Sequence, residues 1–333
     1  MEKGREEKRG SFIALRRHQN VIGKHARGKR PERVGKPEHR EYRVAASRAG
    51  IIPAPPAFRK DAFMADNSDR LAFAIDLGKR AGASALASFR KLETLTIEKK
   101  GHQDLVSEAD RDTETFIRAE IARAYPDDAI VGEEHAPTPG TSGWTWVIDP
   151  IDGTVSFMHG VPVFGTLIGI EHEGVPVAGV INFPALDERA WGMAGAGAWH
   201  RIGTAAPQQA HVSQTASLKD AMVCTTSFDF FRNEPWEDAY VALAKASHRT
   251  RGWSDCHNEL LLITGRIDAV VEPVLKPWDI SAIIAVLHEA GGYFTDWHGE
   301  HPNCSCNSPG LASNHALHAP LIEVLAPHAP KRA

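Results

Sequence analysis

The chain has 333 residues, 42% hydrophobic and 24% charged, with 28 Gly and 21 Pro. This apolar content is ordinary for a folded protein and excludes wholesale disorder or collagen-like repetition, and no apolar run approaches the roughly 18 residues that span a bilayer. The formal net charge of −4 hides an asymmetry, since residues 1–60 carry 17 Lys and Arg against 6 Glu while the remainder carries 21 bases against 36 acids.

The opening MEKGREEKRG has no apolar stretch of the secretory kind. Four cysteines (Cys224, Cys256, Cys304 and Cys306) are too few for a disulfide framework, so a reduced, cytoplasmic protein is expected. Residues 1–63 lack sustained apolar periodicity and include Ile52-Pro53-Ala54-Pro55-Pro56. They read as a disordered basic arm. Such an arm could bind nucleic acid or anionic surfaces by charge, could be a targeting peptide despite its six Glu, or could be an over-called start with Met64 as the initiator. The last, or a functionless arm, is the favoured reading.

From Asn67 the texture becomes globular, and residues 64–330 are expected to form one domain. Ser68 to Phe89 reads as a helix with Leu71, Ile75, Gly78, Gly82, Leu86 and Phe89 near one face. A polar link with Lys99 and Lys100 follows. Ser107-Glu-Ala-Asp110 has the form of a capping box, opening a helix with Phe116, Ile117 and Ile121 that ends at Tyr125-Pro126. Ala129 to Gly132 reads as a short strand running into Glu133-Glu134, and Trp144 to Ile148 as a buried strand. Val163 to Phe183 is apolar apart from Glu171-His-Glu-Gly174, which marks a hairpin. Met222 to Thr226 and Ala269 to Val271 are further strand candidates. Asp279 to Ala290 is a helix preceded by Pro277 and closed by Gly291-Gly292, with a strand at Tyr293 to Trp297. These elements alternate in blocks, which fits α+β or layered α/β better than a doubly wound nucleotide-binding sheet. No internal repeat is present.

The sharpest chemical feature is Asp149-Pro-Ile-Asp-Gly-Thr154, directly after an apolar strand. A tight turn there would aim two carboxylates and the Ile151 carbonyl at one point. Clustered hard oxygens suit Mg²⁺ or Ca²⁺ rather than zinc, and the Gly153 and Thr154 N–H groups could meet an anionic oxygen. An ordinary Asx-turn would account for the same residues. Glu133 could be a solvated loop acid, Asp279 an N-cap, and Asp110 a capping-box member. If these acids converge, cations must neutralise them.

Gly132-Glu-Glu134, Trp146-Val-Ile-Asp-Pro-Ile-Asp-Gly-Thr154 and Trp278-Asp279, in that order, resemble the inositol monophosphatase family of Mg²⁺-dependent, Li⁺-sensitive phosphatases. Lys99 followed by Asp104-Leu-Val-Ser-Glu-Ala-Asp110 resembles that family's upstream motif. The resemblance covers about residues 68–320 and implies a layered αβαβα sandwich, usually a homodimer. It implies one Mg²⁺ on Glu133, Asp149 and the Ile151 carbonyl, a second on Asp149, Asp152 and Asp279, and a third, weaker ion near Glu133. Thr154 and Asp110 would orient and deprotonate the attacking water, with Lys99 near the ion hydration shell. No serine or thiol nucleophile is then needed, and no Gly-x-Ser-x-Gly elbow occurs.

Within the family, Gly160-Val-Pro-Val-Phe-Gly-Thr-Leu-Ile168, Pro184-Ala-Leu-Asp-Glu-Arg189, Trp253-Ser-Asp-Cys256 and Gly265 to Pro273 look most like the histidinol-phosphatase branch. His257-Asn258-Glu259 departs from the aromatic-Gly-aromatic run often found there. Asp255 and Glu272 fall where the family contacts the alcohol part of its substrate, and an acid at 255 would bond an ammonium. The expected substrate is L-histidinol phosphate, cleaved in histidine biosynthesis. The alternatives are inositol monophosphate or a broad range of small esters, and a non-enzymatic binding protein using the basic arm.

Other signals carry less. His298-x-x-His301-x-x-Cys304-x-Cys306 has zinc-capable residues but no standard zinc spacing. Gly192 to Trp199 is glycine-rich, yet reads as a small-residue strand crossing rather than a dinucleotide loop. His315 and His318 read as solvated, and Cys256 as a buried or pocket-lining thiol. No helix-turn-helix or RNA-recognition pattern is visible, so nucleic-acid binding would rest on the arm alone.

Overall fold

The computed structural model of the chain describes residues 60–94, 97–99, 105–232, 236–301 and 308–330. The expected arm lies outside the described residues up to position 59. Its last part does not, because α1 (Lys60–Phe89) begins inside that segment and runs through Met64.

Of the expected face of α1, Gly78 and Gly82 are buried, in a stripe shared with Arg70, Ala74, Leu77, Ala81 and Ala85, whereas Leu71, Ile75, Leu86 and Phe89 flank it half-buried. Close approach explains the difference from the expected face. Asn182 donates a hydrogen bond to the Gly78 carbonyl at 3.2 Å. A Cβ on Gly82 would fall 2.3 Å from Asn182 Nδ2. Small residues line the contact and large ones seal its edges.

β1 (Ile97–Lys99) and β2 (Leu105–Ser107) form an antiparallel pair where a polar link was expected. α2 (Glu108–Ala124) follows. β3 (Ala129–Gly132) then lies parallel to β4 (Trp144–Asp152). After α3 (Thr154–Met158), the strands β5 (Gly165–His172), β6 (Val175–Phe183), β7 (Glu188–Met193), β8 (Gly197–Ile202) and β9 (Gln208–Gln209) add antiparallel in chain order. Among the described residues this makes a seven-stranded sheet. The expected hairpin at Glu173-Gly174 is present, with positive φ at both residues (50° and 77°), as a two-residue turn between twisted strands requires. The glycine-rich Gly192–Trp199 segment is the β7–β8 hairpin, not a crossing, and Glu289 accepts hydrogen bonds from Gly195 and Gly197 N–H at its turn.

A second sheet holds β10 (Met222–Cys224), β11 (Arg249–Arg251), β12 (Ala269–Leu275), β13 (Gly292–Thr295) and β14 (Ser308–Asn314), in the order β11-β10-β12-β14-β13. Its helices are α4 (Trp236–Ala246), α5 (Asp255–Ile263), α6 (Pro277–Glu289) and α7 (His315–Leu325).

Alternation along the strands assigns the layers. Trp146, Ile148, Ile168, Ile170 and Val180 pack with Leu77, Ile117 and Ile121 of α1 and α2. Leu167, Ile181 and Phe183 face the other way, onto Leu260, Ile283 and Val286 of α5 and α6, which also meet Val270, Phe294 and Ala312 of the second sheet. The far side of that sheet, through Val223, Val271 and Leu311, covers Leu243 of α4 and Leu317 and Leu321 of α7. The result is the expected αβαβα sandwich.

One histidine expectation fails. His318 is buried, bonded to Thr295 Oγ1 at 2.9 Å and Ser313 Oγ at 2.7 Å, because α7 turns it into the second sheet. Cys304 and Cys306 lie outside the described residues, while His298 bonds the Pro330 carbonyl at 2.9 Å. No described helix is long and apolar enough to cross a membrane.

Candidate active site

β4 does not end before the aspartates. It runs through Asp152, and its pairing with β5 shifts between Asp149–Leu167 and Asp152–Gly165. Three steps on β4 oppose two on β5, so one extra residue is bulged out. In a regular strand, residues three apart face opposite sides. The extra residue reverses that parity, so Asp149 and Asp152 share a side while Ile151 packs with Ala85, Ala109 and Phe157 on the other. Pro150 suits the bulge because it has no N–H to pair, and its carbonyl accepts from Thr166 Oγ1 at 3.0 Å. Within the expected turn, the chain bends at Gly153, whose φ of 83° leads into α3.

Asp149, Asp152 and Asp279 bring one carboxylate oxygen each within 4.8 Å of one another. Asp279 is not the N-cap of α6. It is the third helical residue after Lys276, and its Oδ2 accepts from the Lys276 N–H at 2.8 Å. Pro277 opens the helix at a position where no N–H is needed. The cap and the cluster are thus one arrangement. Asp152 Oδ2 accepts from the Cys256 N–H at 2.6 Å, and the Ile151 N–H donates to Asp149 Oδ1 at 3.1 Å.

Electrostatics records the crowding. Burial, then repulsion from Glu133, Asp152, Asp279 and Asp110, pushes Asp149 well above the carboxylate range. Burial, with Asp255 and Asp279 beside it, does the same to Asp152. Burial, opposed by the Lys276 hydrogen bond, moves Asp279 up to about 7. Glu133 stands beside the three aspartates rather than among them, 3.5 Å from Lys276 Nζ. Thr154 Oγ1 donates to the Ile151 carbonyl at 3.2 Å. Asp110 is buried at the start of α2, where it acts on Asp149. Lys99 lies on β1, and its side chain is outside what the structure describes.

The glutamate loop after β3 is held by α2. Glu114 Oε2 accepts from the Glu134 N–H at 2.7 Å and Oε1 from the His135 N–H at 3.3 Å. A Cβ on Gly132 would sit 2.2 Å from Glu114 Oε1, so a larger residue there would displace that carboxylate.

On the other side of the cluster, α5 begins with Asp255. A Cβ on Gly153 would lie 3.3 Å from Asp255 Oδ2, which places this acid against the aspartate motif. Ser254 donates to Asp255 Oδ2 at 2.7 Å and meets Ser156 Oγ at 2.7 Å, with its backbone at φ 81°. Glu272, on β12, is buried and accepts from Thr225 Oγ1 and the Thr226 N–H. Burial, with Asp255 adding repulsion, raises it to about 8. Cys256 is buried, and burial pushes its thiol far above the usual range, so it is inert.

The structure therefore gathers Asp110, Glu133, Asp149, Ile151, Asp152, Gly153, Thr154, Asp255, Glu272 and Asp279 around one region. Sequence reasoning missed Glu114, Arg118, Lys276 and Ser254. Only the spacing Asp110-Glu114-Arg118, four residues at each step on α2, hinted at the first two. Glu259, also missed, is buried with one carboxylate oxygen lacking a hydrogen-bond partner among the described residues. An all-oxygen donor set of crowded carboxylates fits a hard divalent cation, which would relieve the repulsion that holds these protons on.

The chain belongs to the inositol monophosphatase family, whose pattern it matches over residues 66–329. Histidinol-phosphatase of Chlorobaculum parvum is 36% identical over 77% of this chain and 96% of its own length. Histidinol-phosphatase of Streptomyces coelicolor is 36% identical over 79% and 98%. Among solved structures, an IMPase of Thermotoga maritima superposes with a TM-score of 0.68 at 32% identity, covering 78% of this chain and 97% of that one. The protein is a phosphoric monoester hydrolase of this family.

Proposed function

We propose that this phosphatase cleaves a phosphomonoester whose alcohol part is cationic, L-histidinol phosphate in the first instance, giving L-histidinol and phosphate in histidine biosynthesis. The observation that carries the reading is Asp255, seated against Gly153 with Glu272 beyond it. An ammonium would form a charge-assisted hydrogen bond with Asp255 and favour the charged form of both acids, which burial disfavours, whereas a neutral polyol would not. The relatives named histidinol-phosphatase point the same way.

Two to three Mg²⁺ ions are proposed as cofactors. Glu133, Asp149 and the Ile151 carbonyl would hold one, Asp149, Asp152 and Asp279 a second, with a third near Glu133. Bound there, such ions lower the pKa of water and neutralise charge on the phosphate and the departing alcohol oxygen. Thr154 and Asp110 orient that water and accept its proton. The Thr154 hydroxyl already lies 3.2 Å from the Ile151 carbonyl, so the two groups are neighbours. Gly153 and Thr154 offer backbone N–H groups to the phosphate, and Lys99 serves near the ions. Asp255 and Glu272 orient the alcohol part. Following the family resemblance, the enzyme is proposed to be a Li⁺-sensitive, cytoplasmic homodimer with residues 64–330 as its catalytic unit.

The test is phosphate release from histidinol phosphate and from inositol monophosphate, with Mg²⁺ and with chelator. We expect a strong preference for the first ester and no release without metal. In Asp255→Asn, KM for histidinol phosphate should rise roughly tenfold or more, the worth of one hydrogen bond to a charged group, with little change for an uncharged ester. Equal rates on both esters in the unaltered enzyme, or equal losses in the variant, would replace this reading by a broad small-ester phosphatase.

A further inference from the structure

We propose that Glu114 and Arg118 are positioning residues that set the Glu133 carboxylate for its divalent ion. This rests on the reading of Glu133 as a metal ligand. Glu133 sits in a loop whose base is closed by the paired backbones of Ile130 and Thr138, at 2.9 and 2.8 Å. The flank of the loop is clasped by two side chains one helical turn apart on α2. Glu114, fully buried, takes the N–H groups of Glu134 and His135. Arg118 Nη2 donates to the His135 carbonyl at 3.2 Å, and Nη1 to Thr138 Oγ1 at 3.2 Å. The two side chains are themselves joined, Arg118 Nε to Glu114 Oε1 at 2.6 Å. Donors and acceptors of the loop backbone are thus both engaged by one pair, and Gly132 leaves room for it.

The pair does more than fill space. A lone carboxylate at 114 would add negative charge behind a cluster already crowded with acids. Paired, they hold the loop at no net charge. Asp110 lies one turn before Glu114 on the same helical face. One rigid helix therefore fixes the spacing between the group proposed to accept the proton from water and a group proposed to hold the metal.

The test uses the full chain without substrate, titrated with Mn²⁺ while free Mn²⁺ is followed by electron paramagnetic resonance. Partners that orient metal ligands are worth about 10–100-fold in affinity. Glu114→Gln should weaken Mn²⁺ binding by that order, while KM for the ester at saturating metal stays within about twofold. Arg118→Gln, on the more exposed member of the pair, should do the same and provides the measurement if the first variant does not fold. Glu133→Gln is the reference. If it weakens Mn²⁺ binding while Glu114→Gln and Arg118→Gln bind as the parent does, or lose only thermal stability, the positioning role is overturned. If Glu133→Gln itself binds as the parent does, the ligand assignment beneath the proposal is what falls.

Discussion

His318 shows how a single side chain can be misjudged from its place in the chain. Two histidines near a C-terminus look solvated, yet α7 folds this one against Thr295 and Ser313. Burial, with His315 adding repulsion, lowers its pKa from 6.5 to about 4. The folded protein therefore resists a proton that the unfolded chain accepts below pH 6.5. Stability is intact above that value and is lost as pH falls toward 4, by up to about 3 kcal/mol. Urea midpoints at pH 7, 5.5 and 4 should show this loss, and His318→Gln should lose less over the same window. A parallel loss in the variant would assign the acid sensitivity to other groups. The aspartates were legible because a local motif carries them. Glu114 was not, because the i,i+4 spacing to Arg118 shows only a helical pair, while the loop N–H groups it accepts from lie 20 and 21 residues away in a contact that folding creates.

For the elements, glycine decides what the periodicity blurred. α6 crosses β5 and β6 so closely that a Cβ on Gly179 would fall 2.3 Å from the Ala282 carbonyl, and one on Gly169 would fall 2.5 Å from Ser281 Oγ. Helix and sheet meet backbone to backbone there, which sets where Asp279 stands relative to Asp149. Gly179→Ala should push α6 outward and cost about 1–3 kcal/mol from overpacking. Thermal melting should fall, and Mn²⁺ binding should weaken with it, because Asp279 moves with its helix. An unchanged melting temperature would mean that the contact is looser than these distances describe. The same effect explains why only the glycines of the expected α1 face are fully buried, since close approach selects small residues and leaves Leu71, Ile75, Leu86 and Phe89 at the edges. The β4 bulge was equally hidden, since Asp-Pro-Ile-Asp-Gly reads as a turn until the β5 register is known.

Across the whole molecule, the layer order was legible only through the family likeness, because block alternation alone left α+β and layered α/β open. The assembled sandwich presses acids from β4 and α6 together, and the proposed divalent cation would relieve that repulsion only in the folded state. Mg²⁺ at about 100 times its dissociation constant should add about 2.7 kcal/mol. For a chain of this size that raises the melting temperature by roughly 4–5 °C, and chelator should reverse it. A melting curve indifferent to both would remove the cation from this cluster. The two ends of the site also have different owners. Glu133, Asp149 and Asp152 come from the first sheet and its loops, whereas Asp255 and Glu272 come from α5 and the second sheet. The proposed recognition of the leaving alcohol can therefore drift in one half of the polypeptide while most of the proposed hydrolytic apparatus, Asp279 on α6 excepted, is inherited unchanged in the other, a division that would let one scaffold acquire new clients without reinventing its chemistry.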